Sequence, residues 1–239
     1  MLSALTARAE SYGVSLIKCE AQTLTREAQL FRVTGDGADV RAPRAIMATG
    51  LIDTRPEIEG FDPGRDGSLV RYCPICDGFE AADKDICVFG SVEEASAKAL
   101  FLRTFSRSVI LLAPDDYSDA EGVCRDLAAA GVLTPKSRVA RLCQTAEKIV
   151  AYLNDGSELR FDLLYPILGC AVRSELATRL GASHTKIGCL VVDEHLQTTV
   201  PGLYAVGDVV SDLHQIAVGT GNAAIAATHI HNGLPRNFC

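Results

Sequence analysis

The sequence contains one segment of distinctive chemistry, Arg71-Tyr72-Cys73-Pro74-Ile75-Cys76-Asp77-Gly78-Phe79, followed by an apolar strand pattern, Ile86-Cys87-Val88-Phe89, that ends at Gly90. A two-residue spacer lets two cysteine sulfurs meet in a tight turn, so Cys73 and Cys76 can close and open as a disulfide. Asp77 follows directly, where it could exchange a proton with a thiol or a substrate sulfur. The segment therefore predicts a redox-active cysteine pair beside a strand–turn–helix unit.

The same spacing is also found in half of a zinc site and in cysteines that only pack. Zinc requires four ligands, usually from two such pairs, and the sequence has no second Cys-x-x-Cys. His229 and His231 are two apart in a predicted helix and point to different faces. We therefore expect a redox pair and no metal site, and both other interpretations stay open.

The composition is that of a globular protein with a sizeable core. The 239 residues are 48% hydrophobic and 22% charged, enough for one large or two modest domains. The net charge is −7 without a basic cluster, so neither nucleic acid nor an anionic membrane is an expected partner. The longest aliphatic run, residues 109–113, is too short to span a bilayer.

The cysteines and the N-terminus favour a cytoplasmic protein. Nine cysteines, an odd number, do not form the pattern of a secreted disulfide framework, and no signal-peptide pattern opens the chain. Four of the cysteines lie in or beside apolar runs and are predicted to be buried: Cys19, Cys87, Cys170 and Cys189.

Strand and helix patterns alternate after the cysteine pair. Strands are predicted at 86–89 and 108–112 and helices at 93–105 and 120–130, and this alternation indicates a parallel sheet. A hairpin is predicted around Asn154-Asp155-Gly156-Ser157. The other predicted elements are a strand at 162–168, a helix at 174–180 and a strand at 190–192.

The two ends of the chain resemble each other in kind. The first part predicts a helix at 2–12, a strand at 14–17, a hairpin turning at 34–37, a small strand at 45–50 and a linker at 55–64. The last part predicts a strand at 202–208 that runs into a Gly–Asp turn, then a small-residue helix at 219–232. We expect residues 1–66 with 163–239 to form one discontinuous domain, and 67–162 to form an inserted domain.

Several motifs, in this order, resemble the low-molecular-weight thioredoxin reductase family of flavoproteins. They are Ala48-Thr49-Gly50, the Cys73–Phe79 segment, Thr198-Thr199-Val200-Pro201-Gly202-Leu203-Tyr204-Ala205-Val206-Gly207-Asp208-Val209, and His214-Gln215-Ile216-Ala217 before a Gly/Ala-rich helix. The resemblance runs from about Leu2 to Leu234. It implies an α/β fold of two Rossmann-like three-layer domains, with the discontinuous one of FAD type and the inserted one of NAD(P) type.

The resemblance also implies roles for individual residues. Cys76 would face the flavin, Cys73 would attack the substrate disulfide, and Asp77 would be the proton-transfer acid. Asp208 would hold the FAD ribitol and pyrophosphate, and the segment from His214 would lie against the isoalloxazine ring, although the family usually has arginine at His214. The implied cofactor site comprises Thr49, Gly50, Gly207, Asp208, Val209, His214, Gln215, Ile216 and Ala217.

The sequence departs from the family pattern in two places. The family opens with a strand, a glycine-rich loop and a helix that hold the FAD adenosine, so we expect the FAD-type domain to be N-terminally incomplete. The nucleotide turn, expected as Gly-x-Gly-x-x-Ala, reads Gly90-Ser91-Val92-Glu93-Glu94-Ala95. Val92 would obstruct a pyrophosphate, Glu93 and Glu94 would repel it, and Asp115-Asp116 would repel an NADP 2′-phosphate. We therefore expect a degenerate NAD(P)H site.

Taken together, the motifs predict an FAD-dependent disulfide oxidoreductase of the thioredoxin reductase type, working as a homodimer. Its partner would be a thioredoxin-like protein or a small-molecule disulfide or dithiol. One alternative is a dithiol oxidase that delivers electrons to oxygen. The other is a non-enzymatic, truncated α/β interaction module.

Overall fold

The computed structural model describes residues 2–61, 69–114, 121–211 and 213–236. In chain order the helices are α1 (Leu2–Ser11), α2 (Pro74–Asp77), α3 (Val92–Leu102), α4 (Glu121–Ala129), α5 (Glu175–Thr178) and α6 (Ile216–Gly233). The strands are β1 (Ala21–Glu27), β2 (Leu30–Gly35), β3 (Ala38–Ala42), β4 (Ala45–Met47), β5 (Leu51–Asp53), β6 (Ile58–Glu59), β7 (Ile86–Gly90), β8 (Val109–Leu112), β9 (Val139–Gln144), β10 (Ile149–Leu153), β11 (Glu158–Phe161), β12 (Leu163–Ile167), β13 (Cys170–Val172) and β14 (Leu203–Ala205). Short 3₁₀ turns cover Gly78–Ala81 and Gly207–Val209. The predicted α/β class is confirmed.

The chain divides into two compact units. One combines Met1–Ile52 with Ala171–Cys239, and the other is Asp53–Cys170. The expected boundaries, after residue 66 and before residue 163, differ from these at both junctions. Strand β6 pairs with β9, and β12 pairs with β7, so both segments belong to the middle unit.

The middle unit is built in three layers around the parallel sheet β12-β7-β8. Successive side chains of a strand point to opposite faces, and β7 shows this directly. Ile86 and Val88 pack with the apolar faces of α3 and α4, whereas Cys87 and Phe89 pack with the second sheet, β11-β10-β9-β6. All five residues of β7 are buried, as expected for a central parallel strand covered on both faces.

Helix α3 buries a different face from the predicted one, on which Ala97, Leu100, Phe101 and Phe105 were expected to point inward. The buried positions are Ala95, Ala99 and Leu102, while Leu100 and Phe101 remain exposed at the edge of the helix. The buried set is spaced by three or four residues, so one stripe of the helix faces the sheet.

The other unit has smaller sheets. Strands β1, β2 and β3 form an antiparallel meander, and β14 pairs in parallel with β4. Leu196, Tyr204 and Val206 pack against Ala226 of α6. Strands β5 and β13 pair with each other where the chain passes between the units.

Some sequence predictions for local structure are wrong. Residues 14–17 form no strand and are exposed, and the expected linker at 55–64 contains β6. Residues 190–192 form isolated bridges instead of a strand. Cys19 is exposed and Cys170 is half-buried, whereas Cys87 and Cys189 are buried as predicted. No helix within the described ranges is long and apolar enough to cross a membrane.

Candidate functional site

The cysteine pair sits at the start of a single helical turn. Cys73 is the residue before α2, and Pro74 occupies the first helical position, where its missing N–H costs nothing. The backbone N–H of Cys76 donates to the carbonyl oxygen of Cys73 at 2.9 Å, which closes the turn. The two Cα atoms lie 5.3 Å apart and the sulfurs are joined. The predicted disulfide is therefore present in the structure.

The surroundings of the disulfide are partly exposed and apolar. Cys76 is exposed and Cys73 is half-buried. Ile75 and Phe79 on either side are 64% and 83% exposed. Gly78 is buried against the Phe105 ring, where an added Cβ would lie 2.9 Å from a ring carbon, so this position requires glycine. Within the described segments, no group of three or more potential metal ligands lies together.

Asp77 is held by two residues that the sequence patterns did not indicate. The Tyr165 hydroxyl donates to Oδ1 of Asp77 at 2.6 Å. Arg71 Nη1 lies 3.9 Å from Oδ2 and donates to the Asp77 carbonyl oxygen and to Glu80 Oε2, both at 3.3 Å. Burial of Tyr165 raises the pKa of its phenol, and the hydrogen bond to Asp77 raises that pKa further. The available signal was a tyrosine in an otherwise apolar buried strand, since a buried phenol normally finds a hydrogen-bond partner.

A second candidate site lies in the other unit, where a cavity of about 410 Å³ opens beside the Gly–Asp turn. It is lined by Ala48, Gly50, Val206, Gly207, Asp208, His214, Gln215, Ile216, Gly219, Thr220 and Ala223. Gly207 has a φ of +74°, a conformation that favours glycine, and it lies against Gly219 of α6. The turn therefore brings the start of α6 and the Asp208 side chain to one opening.

Six of the nine predicted cofactor residues line this cavity, and three do not. Val209 is fully buried beneath the turn, and Ala217 is an exposed residue of the first turn of α6. Thr49 Oγ1 donates to the Arg173 carbonyl oxygen at 2.6 Å and lines a different cavity of about 880 Å³. Part of the predicted site therefore lies around one cavity, and Thr49 instead bonds to the backbone of Arg173.

The cavity has open polar groups suited to a hydroxyl-rich anionic ligand. No hydrogen bond or ion pair joins the Asp208 carboxylate to any other residue that the structure describes. The N-cap residue of the 18-residue helix α6, Gln215, makes no side-chain cap hydrogen bond, and the N-terminus of a helix carries a partial positive charge.

The chain matches the family described as pyridine nucleotide-disulphide oxidoreductase over residues 5–228. It belongs to this family. It is similar to the thioredoxin reductases of Mycoplasmopsis pulmonis, 27% identical over 85% of this chain and 68% of the relative, and Ureaplasma parvum, 28% identical over 80% and 65%. The chain therefore spans about two thirds of the length of these two relatives.

Solved structures agree with this membership of the pyridine nucleotide-disulphide oxidoreductase family. HlmI is 29% identical with a TM-score of 0.85, over 96% of this chain and 75% of the other. An oxidoreductase from Agrobacterium tumefaciens is 26% identical with a TM-score of 0.81, over 96% and 78%. The predicted thioredoxin reductase-like family and Rossmann-like fold are confirmed, and the family and its relatives support the predicted class of oxidoreductase acting on sulfur groups.

The nucleotide motif of this family member differs from the sequence expectation at Val92. The Val92 side chain is only 5% exposed and packs in the core below α3, so it does not project toward a bound pyrophosphate. Glu93 and Glu94 are exposed in the first turn, and the Ser91 hydroxyl accepts a hydrogen bond from the Glu94 N–H at 3.3 Å. Asp115 and Asp116 lie outside the described residues. The degenerate NAD(P)H site stays a prediction.

Thiol titration of the native protein should show a gain of two thiols after treatment with a mild dithiol, because the Cys73–Cys76 bond opens without unfolding. A variant with both cysteines changed to serine is the control and should show no gain. Stoichiometric zinc in the purified protein, or a gain that persists in the control, would contradict the assignment.

Proposed function

We propose that the chain is an FAD-dependent disulfide oxidoreductase of the thioredoxin reductase type that exchanges electrons through Cys73 and Cys76. The observation that carries the proposal is the disulfide within the Cys-x-x-Cys turn of a chain from this oxidoreductase family. The relatives named thioredoxin reductase favour a thioredoxin-like partner, and a small-molecule disulfide or dithiol fits the same chemistry. A cytoplasmic location and a homodimeric assembly stay predictions.

The cavity beside Asp208 is the proposed flavin site. The Asp208 carboxylate, which bonds to no other described residue, can accept hydrogen bonds from ribitol hydroxyl groups, and the positive start of α6 suits an electron-rich ring edge or a phosphate. Gly50 and Gly207 leave room for a close approach of the ligand to the backbone. When bound, flavin supplies the two-electron donor and acceptor, while these residues hold and orient it.

The two sulfurs of the cysteine pair have different proposed roles, one in attack on the substrate and one in its release. In the reduced pair, a Cys73 thiolate attacks a substrate disulfide and displaces one substrate thiolate, which takes a proton. The Cys76 thiol then attacks the mixed disulfide, re-forms the intramolecular bond and releases the second substrate thiol. Asp77, next in sequence, is the proposed proton donor and acceptor. Cys76 is more exposed than Cys73, and exposure would favour Cys76 as the sulfur that attacks the substrate. The two assignments are therefore compared directly below.

The first turn of α3 favours an electron donor other than NADPH. Glu93 and Glu94 are exposed where a pyrophosphate would bind, and Ser91 already accepts the Glu94 N–H. This observation supports the second candidate function, a dithiol oxidase. In that reaction a substrate dithiol would reduce the Cys73–Cys76 disulfide, and a flavin held beside Asp208 would supply the chemistry for passing two electrons to oxygen.

Asp208→Ala should weaken FAD binding by roughly 10- to 100-fold, because hydrogen bonds to a charged group contribute about 1.5–3 kcal/mol. The measurement is the FAD retained per chain after gel filtration from excess FAD. Asp36→Ala is the control, since Asp36 is exposed in the β2–β3 turn and its side chain accepts a hydrogen bond from Gln22. Equal retention in both variants, or no FAD bound by the unaltered protein, would contradict the proposed site.

Cys76→Ser should accumulate a mixed disulfide through Cys73, because the second sulfur that would release the partner is missing. The probe is a thioredoxin that keeps only its attacking cysteine, activated with thionitrobenzoate, and the product is mapped by mass spectrometry. Cys73→Ser is the matched control and should form the adduct several times more slowly. Adduct formation mainly through Cys76 would reverse the assignment of the two sulfurs.

NADPH should reduce the flavin-loaded protein poorly, whereas a small dithiol should bleach the flavin under anaerobic conditions. Each exposed carboxylate in the first turn opposes a bound phosphate by an amount on the order of 1 kcal/mol. Changing Glu93 and Glu94 together to glutamine should therefore speed bleaching by NADPH. Rapid bleaching of the unaltered protein by micromolar NADPH would show that the nucleotide site is intact.

A further inference from the structure

One buried hydroxyl reaches the carboxylate that follows the cysteine pair. Tyr165 lies on β12 with its side chain fully buried in the core formed with α3 and α4, and its neighbours there are apolar. Its hydroxyl donates to Asp77 Oδ1 at 2.6 Å. A buried phenol that loses its partner costs on the order of 1–3 kcal/mol. The position of the Asp77 carboxylate is therefore tied to the sheet, although Asp77 itself belongs to a single helical turn.

The two oxygens of Asp77 have different surroundings. Oδ1 accepts the hydrogen bond from Tyr165, and Oδ2 lies 3.9 Å from Arg71 Nη1. Arg71 also donates to Glu80 Oε2 at 3.3 Å. Among the residues that the structure describes, the titratable and charged groups in contact with Asp77 are Tyr165 and Arg71, and Glu80 is linked to it through Arg71. The cysteine pair precedes Asp77 directly in sequence. Held from two directions, the carboxylate has one preferred orientation.

The phenol is a constant donor in the pH range where thiols titrate. Burial raises the pKa of Tyr165, and the hydrogen bond to Asp77 acts in the same direction. The hydroxyl therefore keeps its proton while cysteine thiols ionise, and it does not itself supply a proton to the reaction. Its contribution is limited to the orientation and charge of Asp77.

We propose that Tyr165 is a positioning residue for thiol–disulfide exchange at Cys73–Cys76, and that its hydroxyl fixes the Asp77 carboxylate in the orientation that exchanges a proton with a thiol. The inference rests on the proposed function, in which this disulfide exchanges with substrate and Asp77 transfers the proton. Proton transfer depends steeply on geometry, and a displacement of about 1 Å can cost as much as 100-fold in rate. A tyrosine at this buried position supplies that geometry, whereas a phenylalanine would fill the same space without it.

The step is balanced for a substrate dithiol. One substrate thiolate attacks a sulfur of the Cys73–Cys76 bond, that bond breaks, and its electron pair leaves on the other cysteine sulfur, which takes a proton. The second substrate thiol gives its proton to the Asp77 carboxylate and attacks the mixed disulfide. The substrate is oxidised to a disulfide, the pair is reduced to two thiols, and Asp77 returns the proton to the second cysteine.

The test is a double-mutant cycle of unaltered protein, Tyr165→Phe, Asp77→Asn and the variant with both changes. The measured quantity is the rate constant for reduction of the disulfide by dithiothreitol from pH 4 to 9, normalised to the reductant's thiolate fraction, with released thiols trapped by iodoacetamide. Tyr165→Phe should lower this constant about three- to tenfold, as expected for the loss of one hydrogen bond. Added to Asp77→Asn, it should have no further effect, because the hydroxyl acts only through the carboxylate.

The pH profile separates positioning from a merely structural role. Any pH dependence that Asp77 contributes to the rate should be altered in Tyr165→Phe and absent in Asp77→Asn, whereas a change in packing alone would alter the rate equally at every pH. Tyr152→Phe, which removes the hydroxyl of a half-buried tyrosine on β10, is the matched control and should match the unaltered protein.

Two results would overturn the role of Tyr165. One is a Tyr165→Phe profile identical to that of the unaltered protein, and the other is an equal slowing by Tyr165→Phe with and without Asp77→Asn. If Tyr165→Phe does not fold, Asp77→Glu decides the question, because it displaces the carboxylate by one methylene and keeps the tyrosine. An unchanged rate in Asp77→Glu would then overturn the proposal.

The measurement needs no flavin and no protein partner, so it is independent of the proposed function. A protein that exchanges with dithiothreitol but passes no electrons to FAD would contradict the proposed function. The ratio of the two rate constants for reduction by dithiothreitol, that of the unaltered protein and that of Tyr165→Phe, would still decide whether the hydroxyl positions Asp77.

Discussion

The parallel pairing of β12 with β7 is the interaction on which the middle unit depends. It aligns Leu163 with Ile86 and Ile167 with Gly90, and so joins segments separated by most of the unit. At its end, a side chain on Gly90 would overlap the Ile167 carbonyl oxygen, so only glycine allows the strands to run this close. Because neighbouring side chains point to opposite faces, the same register decides which residues enter each of the two cores.

The register of β12 also places the side chain that bonds to Asp77, the residue after the cysteine pair. Leu164 points toward the second sheet, and Tyr165 therefore points toward the helices, in the same core as Ala81 at the end of the cysteine segment. A shift of one residue would exchange the two faces and remove the hydroxyl from Asp77. The environment of the disulfide is thus set by a hydrogen bond between residues 88 positions apart in the chain, in addition to the local turn.

Local sequence patterns predicted the parts of the fold that local physics determines. Strand β7, helix α3 and strand β8 have continuous apolar runs or helical spacing, and the Asn154–Ser157 turn has the residues that hairpins need. Residues 14–17 have the composition of a strand, but in the structure they have no strand to pair with. Strands β1 and β9 were not predicted, because each has a single buried residue, Leu24 in β1 and Leu142 in β9, and so neither shows a clear apolar pattern. In the structure they pair with the strands that follow them, β2 and β10.

In the candidate sites, too, the features set by neighbouring residues could be predicted, and those set by long-range contacts could not. The spacing of Cys73 and Cys76 was sufficient to predict their disulfide, since α2 itself brings them together. The contribution of Tyr165 could not be predicted, because no local pattern shows which distant side chain a buried hydroxyl will meet. Likewise, the separation of Thr49 from the cavity beside Asp208 follows from its bond to the Arg173 carbonyl, which is a long-range contact.

The start of α3 is stabilised by its own side chains. Ser91 and Glu94 have the spacing of a capping box, and the serine hydroxyl accepts the Glu94 N–H, one of the donors that a helix would otherwise offer to a phosphate. Val92 then adds its side chain to the core. A side-chain cap stabilises a helix by about 1 kcal/mol, and carboxylates in the first turn add to this. Each of these residues therefore stabilises the helix without a ligand, and the proposal that NADPH is a poor electron donor rests on the same cap and carboxylates.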